Sequence, residues 1–255
     1  MRICLISVEL FAWGKYGGFG RATRIIGREL AKRGHEVTAV VPRRQNQRRI
    51  EELDGIIVHG FSHWRPWEAL EIFRRIKPDV CHSCEPSHTS VMAMRALPQT
   101  RHIVTVRDPR DTHDWWLEFT RPSLSHLQVL HNYFYENNLL VRRAVRRMEA
   151  VFTTALCLVP KVKRIYGLAS DPGFLPTPVG IPAQVAKADK PTVCYVARLD
   201  RRKRPELFLA MAAQFPHVDF LVVGKSRDVA WERKLRETYG SLPNVQMLGF
   251  VNQFS

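Results

Sequence analysis

The chain has 255 residues, 45% hydrophobic and 25% charged, the balance of a soluble globular protein with room for one large domain or one and part of another. Its 39 Lys and Arg against 24 Asp and Glu leave a net charge of +15, so an anionic partner is expected: nucleotide, lipid headgroup or nucleic acid. The longest apolar runs, such as Phe220 to Val223, are far too short to span a bilayer, and Met1 to Leu10 contains Glu9 and no cleavage site, which argues against a secretory signal.

Strand and helix alternate from the first residues. Arg2 to Val8 reads as a strand, followed by a helix from Arg21 to Arg33 with Ala22, Ile25, Ile26 and Leu30 at helical spacing. Gly34 closes that helix, and Glu36 to Val41 is the next strand, ended by Pro42. Short strands at Ile56 to Val58 and Val80 to Cys81 flank a helix from about Trp67 to Ile76, stopped at Pro78. His102 to Val106 is a further strand. Tyr133 to Ala150 has the period of one long amphipathic helix. Leu140, Val141, Ala144, Val145 and Met148 fall on one side of it, and Arg142, Arg143, Arg146 and Arg147 on the other. Val151 to Thr154 and Phe174 to Leu175 complete a first sheet. The alternation predicts an α/β fold with a parallel, doubly wound sheet.

A proline-rich and then small, polar stretch follows, which suits a hinge. The boundaries expected are residues 1–182 for a first domain, 183–190 for the hinge and 191–255 for a second. In the second, strands at Thr192 to Ala197, Asp219 to Val223 and Val245 to Leu248 alternate with helices at Pro205 to Phe215 and Val229 to Tyr239.

Tyr195-Val-Ala-Arg-Leu-Asp-Arg-Arg-Lys-Arg-Pro205 joins a strand to a helix whose proline suits a first turn. Arg198 leaves the carboxyl end of the strand and Lys203 lies just before the helix, which is where open α/β sheets bind ligands. Two cations at a helix start form a receptor for a diphosphate. Gly14-Lys-Tyr-Gly17-Gly18-Phe-Gly20 is a glycine-rich loop between the first strand and helix, able to aim amides at an anion or simply to bend. It lacks the G-x-G-x-x-G spacing of a dinucleotide fold, although Arg43 and Arg44 after the second strand can accept a 2′-phosphate, which keeps an NADP oxidoreductase in play.

The five cysteines sit at irregular positions, as expected of reduced thiols in the cytoplasm. Cys81-His-Ser-Cys84 has metal or redox spacing, but a second ligand pair is absent and no metal is expected. His82, His88 and His113 form no ligand pattern. Trp115 and Trp116 are suited either to stacking on an acceptor or to pinning a loop.

The loop Gly17-Gly18, the stretch Leu30-Ala-Lys-Arg-Gly34-His35-Glu36-Val37 and Asp79-Val-Cys-His82 resemble the first domain of the group 1 glycosyltransferases, retaining enzymes of GT-B architecture that use nucleotide sugars. Pro178-Val-Gly180-Ile-Pro182, Arg198 with Lys203, Val222-Val-Gly224 and Asn244-Val-Gln-Met-Leu-Gly249-Phe250 resemble the second. The resemblance implies a complete Rossmann-like N-terminal domain and an incomplete Rossmann-like donor-binding domain. The activity it implies is transfer of a sugar from a UDP- or GDP-linked donor to a hydroxyl acceptor, a glycan or a lipid-linked one, with no cofactor. Arg198 and Lys203 then hold the donor diphosphate, Gly17 and Gly18 approach its phosphates from the other domain, and Gly224 and Phe250 border the nucleotide. Asp108 matches the acidic member of a His-Asp pair, with Arg107 where many members carry histidine. The family's paired glutamates would lie past Ser255, which implies a chain truncated at its C-terminus and slow in transfer.

Alternatives are a nucleotide-binding fragment without turnover and a basic module. The arginine face at Arg142 to Arg147 suits peripheral contact with an anionic membrane, at its cytoplasmic face. Nucleic acid is not expected, because no RNP-type pattern, zinc finger or basic-aromatic interleaving is present.

Overall fold

The computed structural model describes residues 1–10, 17–43, 47–62, 64–120, 122, 125–181, 183–226 and 228–251. Two compact units divide the chain, Met1–Gly180 and Ile181–Ser255. Gly14, Arg44 and Pro182, each named in the sequence patterns above, lie outside the described residues.

The first unit begins β1 (Arg2–Ile6), α1 (Gly18–Lys32), β2 (Glu36–Arg43), β3 (Ile50–Leu53), β4 (Ile56–Ser62), α2 (Glu68–Ile76) and β5 (Val80–Ser83). It continues α3 (His88–Ala96), β6 (Arg101–Val106), α4 (Thr112–Thr120), α5 (His126–Glu136), α6 (Leu139–Arg146), β7 (Ala150–Thr153), α7 (Val159–Tyr166) and β8 (Gly173–Phe174). One eight-stranded sheet runs β3-β4-β2-β1-β5-β6-β7-β8, parallel throughout except for the β3–β4 pair. Side chains alternate across β1, and each set finds its own core. Ile3 and Leu5 pack with Val37, Ala39 and Ile56 beneath Ile26 and Leu30 of α1. Cys4 and Ile6 face the other way, onto Val40, Phe61, Phe73 of α2 and Ala93 of α3. Helices therefore cover both faces of the sheet, which explains why its central strands are apolar on both sides.

The structure corrects several elements. The expected single helix from Tyr133 to Ala150 is broken between α5 and α6, because the Asn138 side chain accepts the amides of Leu140 at 2.8 Å and Val141 at 3.1 Å and so starts a new helix. Leu140, placed on the buried side by periodicity, is exposed, while Val141, Ala144, Val145 and Met148 are buried. β2 continues through Pro42, which pairs opposite Phe61 of β4, rather than stopping there. β3 and β4 form a hairpin around Asp54 and Gly55, both at positive φ, the signature of a tight two-residue turn. α1 begins at Gly18, so part of the glycine-rich stretch is the first turn of the helix.

The second unit contains β9 (Thr192–Val196), α8 (Pro205–Gln214), β10 (Asp219–Val223), α9 (Val229–Tyr239) and β11 (Val245–Gly249), with a 3-10 turn over Arg201–Lys203. Its parallel sheet is ordered β11-β10-β9. Phe220, Val222 and Val245 pack against Leu209 and Ala212 of α8 and Leu235 of α9 on one face. Cys194 and Val196 of β9 and Leu248 of β11 are exposed.

Candidate functional site

In the first unit the chain order reverses between β1 and β5: neighbours run through β2 and β4 on one side and through β6 and β7 on the other. Open α/β sheets bind ligands outside the carboxyl ends of the strands at such a reversal. Ser7 to Glu9 leave β1 there, Cys84 to Pro86 leave β5, and Arg107 with Asp108 leave β6.

These segments are knit by buried polar groups. Glu85 Oε1 accepts the Val8 amide at 2.6 Å and lies 3.1 Å from Ser7 Oγ. Burial pushes the Glu85 carboxyl above the ordinary carboxylate range, opposed by the positive charge of Arg107. Ser7 Oγ also donates to the Glu9 carbonyl at 2.7 Å. Glu9 Oε1 accepts the Gly20 amide at 3.1 Å, so an internal carboxylate caps the first turn of α1. That contact requires glycine at position 17: a β-carbon there would lie 1.8 Å from Glu9 Oε1. At Gly18 a β-carbon would meet nothing within 4 Å. The two glycines singled out together have different duties, since only the first is imposed by space.

Arg107 donates from Nη1 to the Phe19 carbonyl at 3.0 Å and lies over the Phe19 ring, 5.9 Å from its centroid. In place of an imidazole, a guanidinium ties the end of β6 to the first turn of α1. Asp108 is exposed and held by Arg110, whose Nε and Nη2 reach its Oδ2 at 2.9 and 2.8 Å. Arg110 in turn stacks on Trp115, 4.8 Å from the ring. Trp115 is buried, edge-on to Tyr133, so its face is not open to stack on a ligand, whereas Trp116 is exposed. Phe19, Glu85, Arg107, Asp108 and Trp115 line one open cleft.

Cys84, also at this end of the sheet, is a buried thiol pushed up to about 11 by desolvation, and Cys4, Cys81 and Cys84 are all free. Such thiols are unreactive. His82 is buried on Thr105, 2.8 Å from its Oγ1, and burial holds it down to about 4, so it is neutral. Among the described residues no cluster of His, Cys, Asp and Glu suits a metal ion.

In the second unit the carboxyl ends of all three strands meet. The Ala197 amide donates to the Val223 carbonyl at 3.1 Å, Leu199 to Lys225 at 3.2 Å, and Gly224 to Gly249 at 2.7 Å. Gly224 has a φ of +148°, and a β-carbon on it would lie 1.9 Å from the Ala197 carbonyl oxygen, so no other residue fits without moving backbone. Arg198 follows directly, partly exposed, with Nη2 3.2 Å from Asp200 Oδ2. That contact leaves most of the guanidinium donors unused by Asp200, but the carboxylate also subtracts from the field an anion would meet. Lys203 ends the 3-10 turn, exposed, with no ion pair among the described residues. Arg201 and Arg204, by contrast, are engaged by Asp228 and Glu206, with Arg201 also stacked on Trp231 at 4.2 Å. Arg204 adopts a left-handed φ of 53° and sets up the α8 start at Pro205. Phe250 follows β11 directly and is partly exposed. The geometry thus brings Arg198, Gly224 and Phe250 to one end of one sheet, with Lys203 at the start of the adjoining helix.

Sequence reasoning missed Glu9, Glu85 and Tyr195. Both acids follow apolar strands at their carboxyl ends, a signal that was available. Tyr195 reads as a strand residue, yet its hydroxyl donates to the Lys203 carbonyl at 3.0 Å, bracing the turn that carries Lys203.

A doubly wound sheet with a polar cleft at its strand reversal, followed by a parallel sheet whose strand ends carry cations, is the architecture of the nucleotide-handling α/β enzymes. More particularly, the Glycosyl transferase 4-like domain profile matches residues 17–172, more than half of the chain, which belongs to that family. A second profile, Glycosyl transferases group 1, matches residues 181–255. Among curated proteins no sequence matches. Solved structures do. Alr3699/HepE of Anabaena, 13% identical, superposes with a TM-score of 0.65 over 99% of this chain and 70% of its own. The catalytic domain of starch synthase IV from Arabidopsis thaliana, 13% identical, gives 0.61 over 99% and 74%. The lipopolysaccharide outer core galactosyltransferase WaaB, 14% identical, gives 0.57 over 99% and 69%. The fold is therefore of GT-B type, built of Rossmann-like units.

Proposed function

We propose that this chain takes a sugar from a UDP- or GDP-linked donor and passes it to a hydroxyl acceptor, a glycan or lipid-linked alcohol, with retention at the anomeric carbon. The observation that carries the reading is the meeting of Arg198, Lys203 and Gly224 at the carboxyl ends of β9 and β10 and the start of α8. Gly224 lets backbone approach closely there, and the two cations supply charge for a diphosphate. When the bond from the anomeric carbon to the phosphate oxygen breaks, its electron pair goes to the departing diphosphate. Arg198 and Lys203 stabilise that charge more in the transition state than in the bound donor, which is what accelerates the step. Tyr195 acts through them by holding the turn. Asp108, gripped by Arg110, stands in the first-unit cleft as a group that orients rather than one that leads the charge. The solution of HepE with UDP-glucose and of starch synthase IV with ADP and acarbose supports a nucleoside diphosphate as the anchor.

The test is thermal shift and calorimetry with UDP, GDP, ADP and NADP. A nucleoside diphosphate is expected to stabilise the protein and Lys203→Ala to abolish that shift while the melting temperature without ligand stays unchanged. Stabilisation by NADP alone would replace this reading with an oxidoreductase. Loss of one such contact is worth about a hundred- to thousandfold in rate. Transfer assays then separate an enzyme from a binding fragment.

Arg143, Arg146 and Arg147 are exposed around α6, which supports peripheral contact with an anionic membrane at its cytoplasmic face. Among the described residues no helix is long and apolar enough to cross a membrane. Sedimentation with acidic liposomes at low salt, where surface attraction is strongest, decides this.

A further inference from the structure

From Ser125 to Tyr135 the chain carries no Asp, Glu, Lys or Arg, although one residue in four is charged overall. α5 occupies this stretch and nevertheless lies at the surface. At 100° per residue Leu127, Leu130 and Phe134 fall within one narrow stripe, and the buried Val129 falls on the other side of the helix. All three stripe residues are exposed, Leu127 by 79% and Phe134 by 62%. α4 leans on α5 through Trp115 on Tyr133 and Phe119 on His126, which leaves the stripe bare. An outer helix face is ordinarily charged, as on α9, where Arg233, Lys234, Arg236 and Glu237 are exposed.

Two residues further on, α6 repeats the pattern and adds charge. Leu139 and Leu140 are exposed in its first turn, and they share a side of the helix with exposed Arg143, Arg146 and Arg147, opposite the buried Val141, Ala144 and Val145. No carboxylate stands among the exposed residues of either helix. Charge selects what covers this surface. A second copy would set the same three arginines against each other across a two-fold axis, in a chain already at +15. A bilayer of acidic lipid meets both parts, its acyl chains taking the apolar side chains and its headgroups the guanidinium groups. At 11 and 8 residues the two helices are too short to cross, so entry is shallow, about 5–10 Å.

We propose that the Leu127, Leu130 and Phe134 stripe of α5, with Leu139 and Leu140 of α6, enters the acyl boundary of an anionic membrane and anchors the first unit there. The choice of lipid rests on the arginine contact given above; the apolar insertion is a separate contribution, and salt distinguishes the two. Attraction of the arginines fades as salt rises, whereas burial of apolar surface does not.

The test places one environment-sensitive fluorophore on the stripe with Leu127→Cys, in a Cys157→Ser, Cys194→Ser background whose three other cysteines are buried. The labelled full chain is mixed with vesicles of phosphatidylcholine, alone or in equal parts with phosphatidylglycerol. On the acidic vesicles its emission is expected to rise and shift to the blue, while the same label on α9, at Arg233→Cys, does not respond. Leu130→Ser with Phe134→Ser alters only exposed positions, so circular dichroism should be unchanged while cosedimentation with acidic vesicles weakens at least about tenfold. In about 1 M salt, where screening acts within about 3 Å, the parent protein should stay bound and this double variant should be released. A label at position 127 that stays in water on vesicles that do sediment the protein, or equal binding by the folded double variant, overturns the insertion and leaves the arginine contact standing. An equal blue shift on phosphatidylcholine alone upholds the insertion and removes the arginine contact. No sedimentation with acidic vesicles at low salt removes both, and self-association abolished by the double variant would then assign the stripe to a second copy.

Discussion

In the Met1–Gly180 unit the charged groups at the strand ends are tucked in and tied: Glu85 and Glu9 accept backbone amides, and Arg107 donates to a carbonyl of α1. In the Ile181–Ser255 unit the equivalent positions hold Arg198, partly exposed, and Lys203, fully at the surface. The backbone does there what side chains do in the first unit, through the links among Ala197, Gly224 and Gly249. Charged groups tied to backbone inside the fold fix geometry and are little screened, whereas exposed cations attract anions from solution and weaken with salt. The strand ends of the first unit are tied within the fold, and those of the second present cations to solvent.

The largest effect that separates the two units is expected from Gly224→Ala. The added methyl meets the Ala197 carbonyl oxygen at 1.9 Å, and a φ of +148° is foreign to any side-chain-bearing residue. A loss of about 3 kcal/mol or more is expected, confined to the second unit. Hydrogen exchange reads it out: amides of β9 to β11 should lose protection while those of β1, β5 and β6 keep theirs. Equal loss in both units would mean that they unfold as one body.

Next in size come the adjacent glycines of the first unit, which should respond with opposite signs. Gly17→Ala must displace the Glu9 carboxylate and its hold on the Gly20 amide, a cost of about 1–2 kcal/mol, comparable to losing an N-cap. Gly18→Ala enters open space inside a helix and should stabilise by up to about 1 kcal/mol. Chemical denaturation of the two variants checks the pair. If Gly18→Ala nonetheless abolishes transfer, that position serves a ligand rather than the fold.

Tyr195→Phe removes the single hydroxyl that holds the Lys203 carbonyl and keeps the ring on Phe208, 5.4 Å away. One such hydrogen bond is worth about 1 kcal/mol, so nucleoside diphosphate affinity should fall about fivefold with little change in melting temperature. A fall in melting temperature with unchanged affinity would make the hydroxyl structural only.

How much of this the sequence carried depends on the range of the interaction involved. The alternation of β1, β2, β5 and β6 with their helices was legible because apolar periodicity is local. So were the places of Arg198 and Gly224 just after strands, and of Lys203 just before a helix that starts at Pro205, which follow from the elements themselves. The break at Asn138 was not, since Tyr133 to Ala150 keeps a helical period and only the side-chain cap interrupts it. Nor was the cleft, because Glu85 and Asn137 lie far apart in the chain, and a buried carboxylate cannot be told from an exposed one by composition. Trp115 shows the same limit. Its burial comes from Arg110 and Tyr133, neither of which periodicity places against it.

The smallest expected effect lies at the β3–β4 turn and tests whether the first unit also draws stability from a charge. Arg24 of α1, its side chain 9% exposed, lies 2.6 Å from Asp54 at the β3–β4 turn. The hydrogen bond from Arg24 holds the Asp54 carboxyl below its ordinary range. Because the folded value is depressed, the stabilisation is fully present above the unfolded value of about 4 and is lost as pH falls through the folded one. Asn accepts the left-handed φ of 53° found at this position, so Asp54→Asn keeps the turn and removes only the charge. The variant should be about 1 kcal/mol less stable at pH 7, with the gap closing toward pH 3. Thermal melts across that range measure it. A gap that stays constant with pH would assign the loss to the turn, and a gap that appears in the unfolding of β9 to β11 would contradict the separation of the two units.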